Sequence, residues 1–209
     1  MTMEHPLSAP GEPLTIGDGA GDWLSLPDGD LLWWPGFLSA PQASALQQHL
    51  LAEIAWRHEQ IRLFGRWHWQ PRLIAWFGAR DYCYSGLTLQ AQDLPACLLP
   101  IRRACEQAAG SPFNSLLLNR YRDGQDGMGW HADDEAELGV NPVIASLSLG
   151  QSRRFVLRHR QSGEKREFLL QHGDLLVMAG AMQHHWQHAL PKNRRLCAER
   201  INLTFRYLY

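Results

Sequence analysis

No apolar run in this 209-residue sequence reaches the roughly 20 residues that a membrane-crossing helix needs. The N-terminus lacks a basic segment followed by an apolar stretch, so no secretory signal is expected. The four cysteines, Cys83, Cys97, Cys105 and Cys197, include no Cys-x-x-Cys pair. That spacing argues against a zinc knuckle or a disulfide frame, and for reduced thiols in a cytoplasmic protein. Internal repeats and low-complexity tracts are absent. Residues 1–30 contain no Lys or Arg, and they carry six acids: Glu4, Glu12, Asp18, Asp22, Asp28 and Asp30. Rich in Gly, Pro and Asp, they read as a flexible acidic arm, with a short strand near Trp23 to Leu26.

What is present is a globular composition, 45% apolar and 20% charged, which suits one domain over residues 31–209. The formal net charge of −1 hides an asymmetry. Beyond the arm, all 20 Lys and Arg face 15 of the 21 Asp and Glu, a net of +5. That bias is compatible with a polyanionic partner without requiring one.

Leu31 to Phe37 reads as an apolar entry strand ended by Pro35-Gly36. Ser39 looks like an N-cap with Pro41 in the first turn, and Leu46, Leu50 and Ile54 predict an amphipathic helix over 41–55. A second helix is expected over 94–109, stopped by Gly110 and kinked or broken at Pro100. Between them, residues 57–90 interleave Arg57, Arg62, Arg66, Arg72 and Arg80 with Phe64, Trp67, Trp69, Trp76, Phe77, Tyr82 and Tyr84. That mixture suits a surface that meets phosphates and stacks on bases, or a set of hairpins whose aromatics are core.

From Ser115 onward, seven short segments parted by turn residues read as strands: 115–121, 143–149, 154–159, 166–170, 175–178, 185–190 and 200–207. Many short strands without intervening helices argue for an α+β, mainly β fold. The expected architecture is a double-stranded β-helix, or jelly roll, buttressed by N-terminal helices.

The run from Asn119 to Asp134 ends in His131-Ala132-Asp133. In an extended backbone, side chains two residues apart leave the same face, so His131 and Asp133 offer one nitrogen and one oxygen to a single ion. One further imidazole would complete a two-His-one-carboxylate facial triad, the donor set of non-haem Fe(II). It must come from His184-His185-Trp186-Gln187-His188, with His159 and His172 as further candidates. His185 and His188 differ in strand parity, so only one should point inward. In the last strand Ile201, Leu203, Phe205 and Tyr207 alternate with Arg200, Asn202, Thr204 and Arg206. The polar face is either the solvated side of an edge strand or, turned inward, a site for a dicarboxylate gripped by arginine. Asn119 and Tyr121 stand in the same two-residue relation and add donors.

Four ordered motifs now carry a resemblance: Asn-x-Tyr, His-x-Asp, His-Trp-Gln-His-Ala-Leu-Pro and Arg-x-Asn-Leu-Thr-Phe-Arg. Over roughly residues 55–209 the chain resembles the AlkB family of Fe(II)/2-oxoglutarate-dependent nucleic-acid dealkylases. Phe64-Gly65-Arg66-Trp67-His68 and Tyr82-x-Tyr84-Ser85-Gly86-Leu87-Thr88-Leu89 place it near the animal branch that acts on double strands. The resemblance implies Fe(II) on His131, Asp133 and His188, and 2-oxoglutarate among Asn119, Tyr121, Arg200, Asn202, Thr204 and Arg206, with O2 as oxidant. It implies that Asp134 contacts the damaged base and Tyr84 stacks on it, where that branch has Phe. Tyr82, Gly65 and Arg66 would meet nucleic acid, Phe64 would fill the gap left by an extruded base, and Lys192-Asn193-Arg194-Arg195 would contact the opposite strand. The loop from Arg160 to Arg166 looks shorter than in that branch.

The implied activity is direct repair of N1-methyladenine and N3-methylcytosine in single- or double-stranded DNA, or in RNA. It releases formaldehyde, succinate and carbon dioxide from a monomeric cytoplasmic enzyme without membrane attachment. Two rivals stand beside it: a 2-oxoglutarate-dependent hydroxylase of RNA or protein, and a non-catalytic module that binds damaged DNA.

Overall fold

The structure, a computed structural model, describes residues 16–209 except Asp18, Ala20, Phe64 and Ser85, and leaves out the side chains of Leu63 and Tyr84. Expectations placed on Phe64 and on the Tyr84 ring therefore lie outside the described residues. Fifteen strands are formed by the described residues. They are β1 (Asp22–Leu26), β2 (Gly29–Trp34), β3 (Gln60–Leu63), β4 (Arg66–Trp69), β5 (Leu73–Gly78), β6 (Tyr82–Tyr84), β7 (Leu87–Leu89) and β8 (Ser115–Tyr121). Then come β9 (Met128–His131), β10 (Ile144–Gly150), β11 (Arg153–His159), β12 (Lys165–Leu170), β13 (Leu175–Ala179), β14 (Trp186–Leu190) and β15 (Arg200–Arg206).

The fold is a jelly roll. A seven-stranded sheet runs β1-β2-β13-β10-β15-β8-β5, and a four-stranded sheet runs β12-β11-β14-β9, all pairs antiparallel. β3–β4 and β6–β7 are separate hairpins. They lie side by side: a Cβ on Gly86 would stand 3.6 Å from the Arg62 Cβ.

Strand alternation sorts the two cores. On β15, Ile201, Leu203 and Phe205 join Ala145, Leu147 and Leu149 of β10 against two helices, α1 (Ala40–Glu53) and α2 (Leu99–Ala109). α1 contributes Leu46 and Leu50; α2 contributes Ile101 and Cys105. The opposite faces of the same strands look toward the four-stranded sheet, where Tyr121, Ile144, Phe155, Leu157, Met178 and Trp186 pack. Each large aliphatic side chain so buried contributes about 1.5–3 kcal/mol.

The helices follow their local signals. Ser39 occupies the N-cap position of α1, and its hydroxyl donates to Gln42 Oε1 at 2.9 Å. The disruption expected at Pro100 is the start of the helix itself. A 3-10 turn (Ala96–Leu98) leads in, and Pro100 falls in the first turn of α2, where a missing N–H leaves no bond unmade. Gly110, at φ +63°, closes α2 in the left-handed conformation that only glycine adopts cheaply.

Three details differ from the sequence reading. The short strand expected near Trp23 to Leu26 is β1, but it is no part of a loose arm: it pairs with β2 in a hairpin over 22–34 on the edge of the large sheet; residues 1–15 lie outside the described residues. His185 belongs to a helical turn (Met182–His185), so β14 starts only at Trp186. β5 and β9 were unforeseen strands, the first because a short run buried on both faces shows no alternation, the second because glycines surround it. Among the described residues no helix is long and apolar enough to cross a membrane.

Candidate active site

β9 and β14 pair with His131 directly opposite His188. The pairing brings the two imidazoles to a centroid distance of 4.1 Å at 61°. Asp133, two residues past the end of β9, turns back so that its Oδ1 stands 4.0 Å from His131 Nε2. The candidate ligand atoms of His131, Asp133 and His188 lie within 4.8 Å of one another.

Their protonation follows from their neighbours. His131 Nδ1 lies 2.8 Å from the Gly129 carbonyl, which can only accept. Nδ1 therefore carries the hydrogen, and Nε2 keeps its lone pair toward the cluster. Burial, reinforced by His131, pushes His188 down to about 3. Burial also lowers His131, against the pull of Asp133. Both rings are neutral. Burial works against the charge on Asp133, but Arg206, aided by His188 and His131, offsets it and holds the carboxyl at about 2. Arg206 Nε and Nη2 donate to Asp133 Oδ2 at 3.1 and 2.8 Å, which leaves Oδ1 free. The main-chain N–H of Asp133 donates to Gln183 Oε1 at 3.0 Å and fixes the turn.

Below this cluster a cavity of about 60 Å³ runs between the sheets. The polar face of β15 lines it, so that face is interior: β15 lies between β10 and β8, and all seven of its residues are buried. The edge-strand alternative is thereby excluded. Pairing sets Asn202 opposite Asn119 and Arg200 opposite Tyr121, so all the residues expected around a dicarboxylate converge. Thr204 donates to Asn202 Oδ1 at 2.8 Å, and Asn202 donates to Ser146 Oγ at 2.7 Å.

Two guanidinium nitrogens there lack partners. Arg206 Nη1 and Arg200 Nε are buried and unsatisfied. Arg200 is 2% exposed, has no carboxylate within 4.0 Å among the described residues, and donates only to Ser148 Oγ at 2.9 Å. Burial, with Arg153 nearby, depresses Arg200 to about 10, while Tyr121, its ring 5.4 Å away, opposes. A buried cation without a counter-ion costs several kcal/mol, so this cavity is built for an anion.

Above the cluster a second cavity of about 600 Å³ opens to the surface. Tyr82, Asp134, Glu135, Trp130, Arg72 and Ile61 line it beside His131 and Asp133. Asp134 accepts from Arg160 at 3.0 Å across its mouth. Burial and Asp133 raise the Glu135 carboxyl, which shares a hydrogen bond with Tyr82 and keeps Oε2 buried and unsatisfied. Of the expected nucleic-acid contacts, Tyr82 and Asp134 are at the cavity, while Gly65 and Arg66 lie at the tip of the β3–β4 hairpin. The aromatics of 57–90 divide: Trp76, Phe77 and Tyr82 are core, whereas Trp67 and Trp69 are exposed.

Sequence reasoning missed several residues that line the cavities or hold their walls. Ser146 and Ser148 carried a readable signal, two hydroxyls at strand spacing within an otherwise apolar run. Arg72, which donates to Asn119 Oδ1 at 2.8 Å, was hidden among other arginines, and Glu135 was masked by the acids before it. His185 and His159 turn to a separate group with Asp28, so neither joins His131.

Two neutral imidazoles and one carboxylate oxygen, open on the side of a cavity ringed by unsatisfied guanidinium, form the donor set that would hold a non-haem Fe(II) beside a bound dicarboxylate. Such requirements define the 2-oxoglutarate-dependent class of non-haem iron oxygenases. Comparison with known proteins agrees: residues 30–206 match the family described as the 2OG-Fe(II) oxygenase superfamily. Alpha-ketoglutarate-dependent dioxygenase alkB homolog 3 of Rattus norvegicus is 38% identical over 187 residues, covering 84% of this chain and 63% of its own length. DNA oxidative demethylase ALKBH2 of Mus musculus is 42% identical over 158 residues, covering 70% and 66%. The Arabidopsis thaliana ALKBH2 is 35% identical over 206 residues, covering 85% and 66%. The chain thus spans only 63% to 66% of the length of these curated relatives. The solved structure of OsALKBH1, at 14% identity, superposes with a TM-score of 0.60 over 89% of this chain and 100% of its own, a likeness of fold. The chain belongs to the 2OG-Fe(II) oxygenase superfamily and, within it, to the AlkB family. Membership implies Fe(II), 2-oxoglutarate and O2, and the donor set just described fits them.

Proposed function

We propose that this chain oxidatively removes N-methyl groups from N1-methyladenine and N3-methylcytosine in DNA, as a monomeric cytoplasmic enzyme. The observation that carries the reading is the outer cavity of about 600 Å³, which opens onto His131 and Asp133 and is lined by carboxylates. Pockets of this size hold small organic ligands. A base alkylated on a ring nitrogen is a cation, and Asp134 and Glu135 offer it carboxylate acceptors on a wall they share with Arg72, Arg160 and Arg206. Two relatives bear the name DNA oxidative demethylase. A base can reach the cavity only after leaving its stack, and a base that pairs poorly leaves at lower cost.

In this reading His131, Asp133 and His188 hold the iron, which supplies the oxidation of the N-methyl carbon at the expense of O2 and 2-oxoglutarate. The residues provide everything else. The Gly129 carbonyl fixes the tautomer of His131, and Arg206 occupies Asp133 Oδ2 so that Oδ1 alone faces the ion. Arg200, Asn202, Thr204, Asn119 and Tyr121 would bind and orient 2-oxoglutarate, Arg200 supplying a counter-charge for a carboxylate. Asp134 accepts from the exocyclic amine of the base, with Tyr82 and Glu135 closing the wall. Reduced thiols support the cytoplasmic assignment, since all four cysteines are free.

The test is release of succinate and formaldehyde with oligonucleotides carrying N1-methyladenine or N3-methylcytosine, against unmethylated controls and RNA equivalents. Methyl-dependent release on DNA is expected. Succinate formation indifferent to methylation would exclude the reading.

A further inference from the structure

The β3–β4 hairpin presents two unlike faces. Pairing sets Arg62 opposite Trp67 and Ile61 opposite His68. Directly opposed residues share a face and neighbours along a strand do not. Ile61 lines the outer cavity, so Arg62, Trp67 and Trp69 project from the other side, away from it. Trp67 is 57% exposed and Trp69 59%. Ile61 alone of the hairpin reaches the cavity, and the two tryptophans stand exposed on the other side; exposed aromatic patches of this kind mark contact surfaces.

The charge around them has one sign. Residues 60–69 contain two arginines and no acid. Arg57, Arg122, Arg154, Arg160 and Arg166 are each paired with a carboxylate. Arg62 and Arg66 have none within 4.0 Å among the described residues. The His58 ring lies 4.6 Å from that of Trp69 and restricts its orientation. Unpaired cations beside flat, exposed, partly oriented aromatics complement a chain of phosphates with accessible base faces.

We propose that this outward face, with Arg62, Trp67 and Trp69 at its centre, is a stacking platform for an unpaired nucleic-acid strand running outside the active-site cavity. The inference rests on the reading that the chain acts on nucleic acid. It adds a second place of contact, which holds bases that are not reacting. Paired bases have their faces already stacked, so the platform favours a single strand.

The test is binding of an unmodified single-stranded oligonucleotide of about 15 nucleotides to the full chain loaded with metal and 2-oxoglutarate, read by fluorescence anisotropy. Because no methyl group is present, the result does not depend on demethylation. A chain that demethylates nothing can still pass, and one that demethylates can still fail. Loss of both rings in a Trp67→Ala, Trp69→Ala double variant is expected to weaken binding by about five-fold to a hundred-fold, the range for one stacked base. The Trp67→Phe, Trp69→Phe variant should recover most of it. Arg62→Ala should flatten the salt dependence by roughly 0.7 in the log–log slope, one phosphate contact on a single strand. Wild-type affinity in the double alanine variant overturns the platform. So does a loss that comes with a lowered melting temperature and is not restored by phenylalanine.

Discussion

Replacing Arg200 by Met tests the anion site directly. Methionine fills most of the volume, so the change removes charge and donors with little cavity cost. In the protein without ligand, Arg200 is a buried cation with one hydrogen bond to Ser148 and no counter-ion. Its removal should therefore leave the melting temperature within about 3 °C of wild type, or raise it, since uncompensated buried charge destabilises. With 2-oxoglutarate the sign reverses. Losing one partner of a buried, hydrogen-bonded charge pair costs about 2–5 kcal/mol, or about 30-fold to several thousand-fold in affinity. Wild type at a hundred-fold excess of 2-oxoglutarate over its dissociation constant gains about 2.7 kcal/mol. That corresponds to a shift of about 5–10 °C for a domain of this size. The assay is thermal melting under anaerobic conditions with Fe(II), with and without 2-oxoglutarate. Arg200→Met should melt normally and show no ligand shift. A variant that melts far below wild type would make Arg200 a structural residue, and one with a normal shift would show that the anion binds elsewhere.

Three further outcomes are expected. His188→Ala should abolish iron-dependent succinate formation and lower bound iron, whereas His185→Ala, whose ring turns to Asp28 and His159, should retain both; the reverse pattern in a metal-loading assay would reassign the third ligand. Gly124→Ala should lower stability by about 2–4 kcal/mol in chemical denaturation, because a Cβ there would collide with the Asn193 main-chain carbonyl where residues 123–127 dock on the 191–196 loop; an unchanged midpoint would refute that close approach. Phe64→Ala should harm duplex repair much more than single-strand repair, as befits an apolar wedge that holds open a step without its base, and equal losses on matched oligonucleotides together with a lower melting temperature would show a packing residue instead.

What the sequence determined by itself was local and periodic. The alternation on β15 separated its greasy and polar faces, because strand geometry sends neighbouring side chains to opposite sides whatever the strand pairs with. Gly110 marked the end of α2, and His131-x-Asp133 announced two candidate ligands, since each signal needs only a few adjacent residues. Long-range pairing was decided by the tertiary structure. Four strands separate β9 from β14, and only their register places His188, rather than His185 three residues earlier, opposite His131. The same holds for the polar face of β15. Its pattern fits an exposed edge or a lined cavity equally well, and its place between β10 and β8 turned it inward. Ser148 entered the site by the same route, carried there by β10, and Arg72 came in from the bend just before β5; neither segment's own sequence names a ligand. Hydrophobic alternation fixes which side of a strand is buried, but which strand lies beside which is settled by the energy of the whole packed core, and that sum is not written in any one segment.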